Sequence, residues 1–256
     1  MLNFKAFLIE TTLEYHDKLN PLLWSDEKFD SAARANLLKL ADFWRDDALI
    51  PKKAVKDILL VGGNANYNYT KYSDIDLHLL IDKNQLPECD EEIVDDFLKD
   101  KKKLWGLTHD VKIYGIPVEI YAQGLDEKYG PDQGVYSLKN DKWIQKPKKV
   151  KFDPTDPIIA KKTKDLENKI NFVINNKVDS IDVIKKIKEK IRNMRSAAVK
   201  KGGEFSVENL AYKEVRNKGL IEKLQNYLDR LEDETFSLKI GVDILPRLKP
   251  GDSRSE

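Results

Sequence analysis

Asp74 and Asp76 stand one residue apart in Ser73-Asp74-Ile75-Asp76-Leu77-His78-Leu79-Leu80-Ile81-Asp82. The alternation puts Ile75, Leu77, Leu79 and Ile81 on one face of a strand and Asp74, Asp76, His78 and Leu80 on the other. Two hard oxygen donors on one face suit a magnesium ion. Upstream, the apolar run Asp57-Ile58-Leu59-Leu60-Val61 ends in Gly62-Gly63, which reads as a buried strand entering a tight turn. Backbone amides can approach a phosphate there without a side chain in the way. Two-metal nucleotidyl or phosphoryl transfer needs this combination and a third carboxylate. Glu119, flanked by apolar residues in Pro117-Val118-Glu119-Ile120-Tyr121, and Asp110, at the start of its own run, both qualify. The flanks favour Glu119, because they put it inside a strand.

Other reactive residues lack companions. His78 shares the face of the two aspartates, but a hydrogen-bonding structural role is the commoner fate of such a histidine. His16 and His109 are not spaced for zinc or for a triad, and neither a Gly-x-Ser-x-Gly elbow nor a Walker lysine loop occurs. Cys89, the single cysteine, sits in the acidic stretch Pro87-Glu88-Cys89-Asp90 and can form neither an internal disulfide nor a thiolate zinc site. Tyr67, Tyr69 and Tyr72 could stack on a base, although tyrosines in such a loop more often pack the turn. Lys185, Lys186, Lys188, Lys190, Arg192, Arg195, Lys200 and Lys201 make one later helix strongly basic, either a solvated face or a surface for RNA phosphates.

The elements that must hold these residues divide the chain into four segments. Residues 1–50 read as helical with a break at Asn20-Pro21; Leu37, Leu40, Ala41, Trp44 and Ala48 share a helix face capped by Asp30 or Ser31. Residues 51–154 hold the strands, with a helix from about Glu91 to Leu104, a hairpin around Gly115 and a smaller one over 134–144. Residues 155–248 return to helical periodicity in four apolar stripes, with Ser180 as one N-cap. Residues 249–256 form a polar tail. The expected class is α/β (α+β): a short mixed sheet with N-terminal helices and a C-terminal helical domain. Bulk charge says little, since 45 Lys and Arg nearly cancel 44 Asp and Glu. No apolar run long enough to span a membrane occurs, and Met1 to Glu10 lacks a signal-peptide pattern. A cytoplasmic location is expected.

Val61-Gly62-Gly63 followed by Asp74-Ile75-Asp76-Leu77 resembles the signature of the DNA polymerase β-like nucleotidyltransferase superfamily over roughly residues 55 to 125. Ala65-Asn66-Tyr67-Asn68 with Lys71-Tyr72-Ser73-Asp74-Ile75-Asp76-Leu77-His78 is similar, more narrowly, to bacteriophage-encoded predicted nucleotidyltransferases, which would place the chain in a host cytoplasm. The resemblance implies that Asp74, Asp76 and Glu119 bind Mg2+ or Mn2+ and catalyse transfer of a nucleoside monophosphate from an NTP such as ATP to an acceptor hydroxyl. The basic C-terminal helices make RNA or tRNA the leading expectation for the acceptor, with a protein or small molecule behind it. Family members often carry Ser where Gly63 stands and Arg where Asn66 stands. Phosphate binding is therefore expected from the turn of Gly62, Gly63 and Asn64, with Asn66, Asn68, Lys71 and Ser73 beside it. The rival classes are a non-catalytic nucleotide sensor or partner-binding module on the same fold, and a toxin-like or counter-defence modifier of tRNA or protein.

Overall fold

A computed structural model describes residues 11–87 and 91–240. Cys89, the opening residues 1–10 and the tail 249–256, each the subject of an expectation above, lie outside these. Residues 11–30 are not helical: they run in irregular and turn conformations broken by a two-residue ladder, β1 (Trp24–Ser25) against β2 (Lys28–Phe29). Helix α1 (Ser31–Asp47) then begins as expected, with the Asp30 carboxylate accepting from the Ala33 amide. The expectation of helix before residue 30 fails because Leu23, Trp24 and Phe29 are buried by a turn that needs positive φ at Asp26 and Glu27. No helix accommodates two successive residues there.

Strands β3 (Val55–Val61) and β4 (Ile75–Ile81) pair antiparallel and form the middle of a mixed six-stranded sheet. Helix α2 (Glu91–Thr108) runs four residues beyond its expected end and supplies the crossover that a parallel neighbour requires. That neighbour is β6 (Ile116–Gly124), which follows the short β5 (Lys112–Ile113) through a turn with positive φ at Tyr114 and Gly115. On the far side β7 (Val135–Ser137) and β8 (Lys142–Gln145) complete the order β5-β6-β4-β3-β7-β8, in which β4 and β6 alone are parallel.

Ile75, Leu77, Leu79 and Ile81 pack with Leu37, Ala41 and Trp44 of α1 in one continuous core, as the alternation required. The opposite face is apolar only toward β7, where Leu59, Val61 and Val135 cluster. Helices α3 (Pro157–Asn175), α4 (Ile181–Gly202), α5 (Val207–Asn217) and α6 (Leu220–Ile240) form a second core around Leu166, Ile170, Ile184, Val215 and Leu224. Ser180 caps α4 as its position foretold. No helix among the described residues is long and apolar enough to cross a membrane.

Candidate active site

Sheet hydrogen bonding sets the position of the acids. Asp76 lies opposite Glu119 in the parallel β4/β6 register and opposite Val61 in the antiparallel β3/β4 register. Side chains paired in this way share a face. Asp74 immediately precedes β4, and the three carboxylates bring oxygens within 4.8 Å of one another. Asp110, the other candidate third acid, precedes β5, is exposed, pairs with Lys112 at 2.7 Å and does not join the three converging carboxylates. Burial first, and then the Glu119 charge, raise the Asp74 pKa above the ordinary carboxylate value. Asp76 is raised further, by burial and then by the charges of Asp74 and Glu119. Such repulsion is what a divalent cation relieves. The donor set fits magnesium: carboxylate oxygens, converging, with no histidine or cysteine among them.

Gly62 makes the convergence possible. Its φ is +72°, and a Cβ at this position would lie 1.7 Å from Asp76 Oδ2. The glycine is thus required both by the backbone conformation and by the carboxylate lying against it. After it, Gly63–Ala65 form a single 3₁₀ turn, whose first amides have no acceptor within the turn.

The remaining expected phosphate ligands divide sharply. Asn64 is fully buried; its amide donates to the Asp74 carbonyl at 2.7 Å and accepts from Asn20 at 2.8 Å. Asn66 is equally buried, donating to the Gly62 carbonyl at 2.8 Å and accepting from the Gly134 amide at 3.0 Å. Both side chains are taken up in fixing the turn. Ser73 Oγ accepts from the Thr70 amide at 2.9 Å and packs beside Gly63. Lys71 is exposed, with its ammonium over the Tyr72 ring. Asn68 differs from all of these, because it is 4% exposed and neither atom of its amide has a hydrogen-bond partner. His78 is a structural residue: it is buried, hydrogen-bonded to Gln123 Oε1 at 2.6 Å, and its pKa is lowered by burial to about 4. Of the loop tyrosines, Tyr67 is buried, Tyr69 stacks on His16, and Tyr72 is open to solvent.

Sequence reasoning missed the opposite wall. Arg216, on α5, lines a narrow cleft with Asn68, Thr70, Ser73 and Lys213, and its charge acts on both Asp74 and Asp76. Lys213 is held by Glu204 at 2.8 Å; burial opposes the Glu204 charge, but Lys213 more than offsets it and the pKa falls. Segment 11–16 straps this wall to the glycine loop. Thr11 and Thr12 hydroxyls and the Thr12 amide donate to Glu214 Oε2, while the His16 amide donates to the Tyr67 carbonyl at 2.8 Å. Nothing in the local spacing around Arg216 marks it. Only its opposition to a carboxylate pair, across more than a hundred residues of chain, does so.

No family profile matches the chain, and no curated protein matches it. Among solved structures it is similar to the Elizabethkingia meningoseptica CdnE cyclic dinucleotide synthase determined with GTP and Apcpp, at 16% identity and a TM-score of 0.25 over 84% of this chain and 87% of that one. It is also similar to a STING-associated CdnE c-di-GMP synthase from Capnocytophaga granulosa, at 13% identity and a TM-score of 0.19 over 82% and 84% of the two chains. Likenesses this distant bear on neither the substrate nor the product of the present protein.

Proposed function

We propose that the protein is a nucleotidyltransferase, moving a nucleoside monophosphate from an NTP to an acceptor hydroxyl with release of pyrophosphate. The observation that carries this reading is the convergence of Asp74, Asp76 and Glu119 beside a glycine whose missing side chain makes room for Asp76. Asp74 and Asp76 would hold Mg2+ or Mn2+, and Glu119 would complete one ion's ligands. Bound there, divalent ions lower the pKa of the attacking hydroxyl and neutralise charge on the leaving pyrophosphate. The chain's own groups supply position. Amides after Gly62 would hold the triphosphate, and the unpaired Asn68 amide and Arg216, which line one cleft, would meet its charge. Glu119, the most exposed of the three acids, accepts the proton of the acceptor hydroxyl.

The test is to incubate the purified chain with total RNA, each α-labelled NTP and magnesium, alongside an Asp76→Asn variant. Label transferred by the parent and not by the variant is the expected result. Equal labelling by both, or metal binding that survives the Asp74→Asn/Asp76→Asn change, would sink the proposal.

A further inference from the structure

Two basic helix faces oppose each other beside Glu119. On α2, Lys99 and Lys102 line an open recess with Arg192 of α4 and Tyr121 of β6. A second recess continues from it along Lys99, Lys102, Lys103 and Trp105 to Glu119 itself. Lys103 is close enough to Lys188 of α4 to help depress its ammonium pKa, although burial is the larger cause. Arg192 acts on Lys99 in the same sense, against the stronger pull of Asp96. Like charges placed this way on facing helices repel, and folding alone gains nothing from them.

Of the acids nearby, Glu127 at the far end of the first recess accepts from the Gly124 amide at 3.3 Å, and the others are held in ion pairs. Asp96 pairs with Lys99 at 2.9 Å, Asp95 with Lys83 at 2.8 Å, and Glu119 with Lys102 at 3.1 Å. Among the described residues, Lys103 and Arg192 form no ion pair. The outward face of α4 is different in kind, since Lys185 pairs with Glu232 and the exposed Lys186 and Lys190 face solvent half a turn away from Lys188 and Arg192.

We infer that the cleft between α2 and α4 is the acceptor site, and that it takes a single-stranded polynucleotide whose phosphates lie between Lys103 and Arg192 and whose terminal hydroxyl is delivered to Glu119. The inference rests on the nucleotidyltransferase reading for its choice of Glu119 as the reacting end. Cations spread along two helices match several phosphates rather than one, which favours a strand over a free nucleotide. Trp105 and Tyr121 also line the recesses, but each already carries a histidine against its ring, His109 at 3.8 Å and His78 at 3.9 Å between centroids, so the strand is held through its phosphates rather than by base stacking. Lys102 sits where the two recesses meet, with its ammonium also 4.6 Å from the Tyr121 ring centroid. Its pairing with Glu119 at 3.1 Å places it beside the reacting end, where it would meet the strand's last phosphate.

The test separates binding from chemistry. Affinity of the full chain for a fluorescein-labelled single-stranded oligoadenylate is measured by anisotropy in EDTA over a range of salt, on an Asp76→Asn background, with GMP as competitor. Reversing the cleft pair, Lys103→Glu with Arg192→Glu, should weaken binding by about tenfold or more and lower the salt slope by about two. Reversing Lys186 and Lys190 should change affinity by less than about twofold. Both pairs are exposed, and the milder Lys103→Ala/Arg192→Ala change repeats the measurement if reversal disturbs folding. The inference is overturned if the cleft reversal leaves affinity unchanged, if the two reversals weaken binding equally, or if GMP binds as tightly as the strand. Because no turnover is measured, a dead enzyme with intact strand binding would overturn the proposed function alone.

Discussion

The two walls of the central cleft are built in opposite ways. The acidic wall is fixed by the main chain: sheet register places Asp76 opposite Glu119, and the missing side chain of Gly62 admits the Asp76 carboxylate. The cationic wall is fixed by side chains: Lys213 is held by Glu204, and α5 is tied to the glycine loop through Glu214, Thr11 and Thr12. An acid cannot leave its place without disrupting the sheet, whereas Arg216 can shift as far as its ties yield. Under the proposed function, the wall that would hold the metal is the rigid one, and the wall that would meet the substrate is tethered.

The comparison breaks most directly at Asp76. Asp76→Asn should lower metal-dependent nucleotide transfer by about a thousandfold or more. The same change removes a repelling buried charge, so the metal-free variant should melt about 2 °C or more above the parent in EDTA. A variant that is inactive and also less stable would mean that the acids are held for the fold and not against it. Gly62→Ala attacks the same wall through the backbone. An alanine there needs a left-handed φ and overlaps Asp76 Oδ2, so urea unfolding should show a loss of about 2–4 kcal/mol, with transfer lost in parallel.

The tethered wall should give smaller effects, expressed as binding. Arg216→Ala should raise the KM for NTP by about tenfold to a hundredfold with a lesser change in kcat, the cost of one charge-assisted contact. A finer contrast lies between two asparagines two residues apart. Asn66→Ala leaves the buried Gly134 amide without a partner and takes one of the two donors from the Gly62 carbonyl, which keeps the Ala65 amide, and should cost about 1–3 kcal/mol in urea unfolding. Asn68→Ala removes a buried amide with no partner and should leave stability unchanged or improved, while weakening NTP binding by about fivefold to tenfold. If the two variants exchanged phenotypes, the division of the loop into latch and ligand would be wrong.

This division also marks where the sequence was readable. The glycine turn, both aspartates, the strand alternation and four C-terminal helices are local patterns, and each recurs in the structure at the expected residues. Glu119 could be preferred to Asp110 because apolar neighbours imply strand, and strand register does the rest. Asn66 could not be separated from Asn68 in this way. The difference depends on whether Gly134 approaches the loop, and that approach is tight enough that a Cβ on Gly134 would lie 2.0 Å from the Ala65 carbonyl oxygen. Residues 11–30 defeated periodicity for a related reason, since their partners are a helix and a loop far away in the chain. Arg216 and the facing lysines of α2 and α4 belong to the same class of information.

The smallest expected effect concerns pH, where the contrast between the walls has a definite sign. Asp74 and Asp76 have folded pKa values raised above their unfolded values, so the folded chain holds protons that the unfolded chain releases. Their contribution is complete below about pH 4 and is lost as pH rises through the folded values. His78 acts in the opposite direction: it is buried neutral with a pKa of about 4 against 6.5 for a free imidazole, so acidification below about 6.5 favours unfolding. Glu204, lowered by its lysine, likewise stabilises at higher pH and loses that contribution as pH falls. These opposing terms mask one another in the parent protein. They cancel in the difference between the parent and Asp76→Asn, which should therefore grow steadily in favour of the variant as pH rises from about 4 to about 8 in EDTA. Adding magnesium to the parent should shrink the difference at the upper end of that range and leave it unchanged at the lower end, where protons already occupy the acids. A difference independent of both pH and magnesium would show that the repulsion among the three carboxylates is relieved by groups other than a proton or a metal, and the acidic wall would then have no reason to bind either.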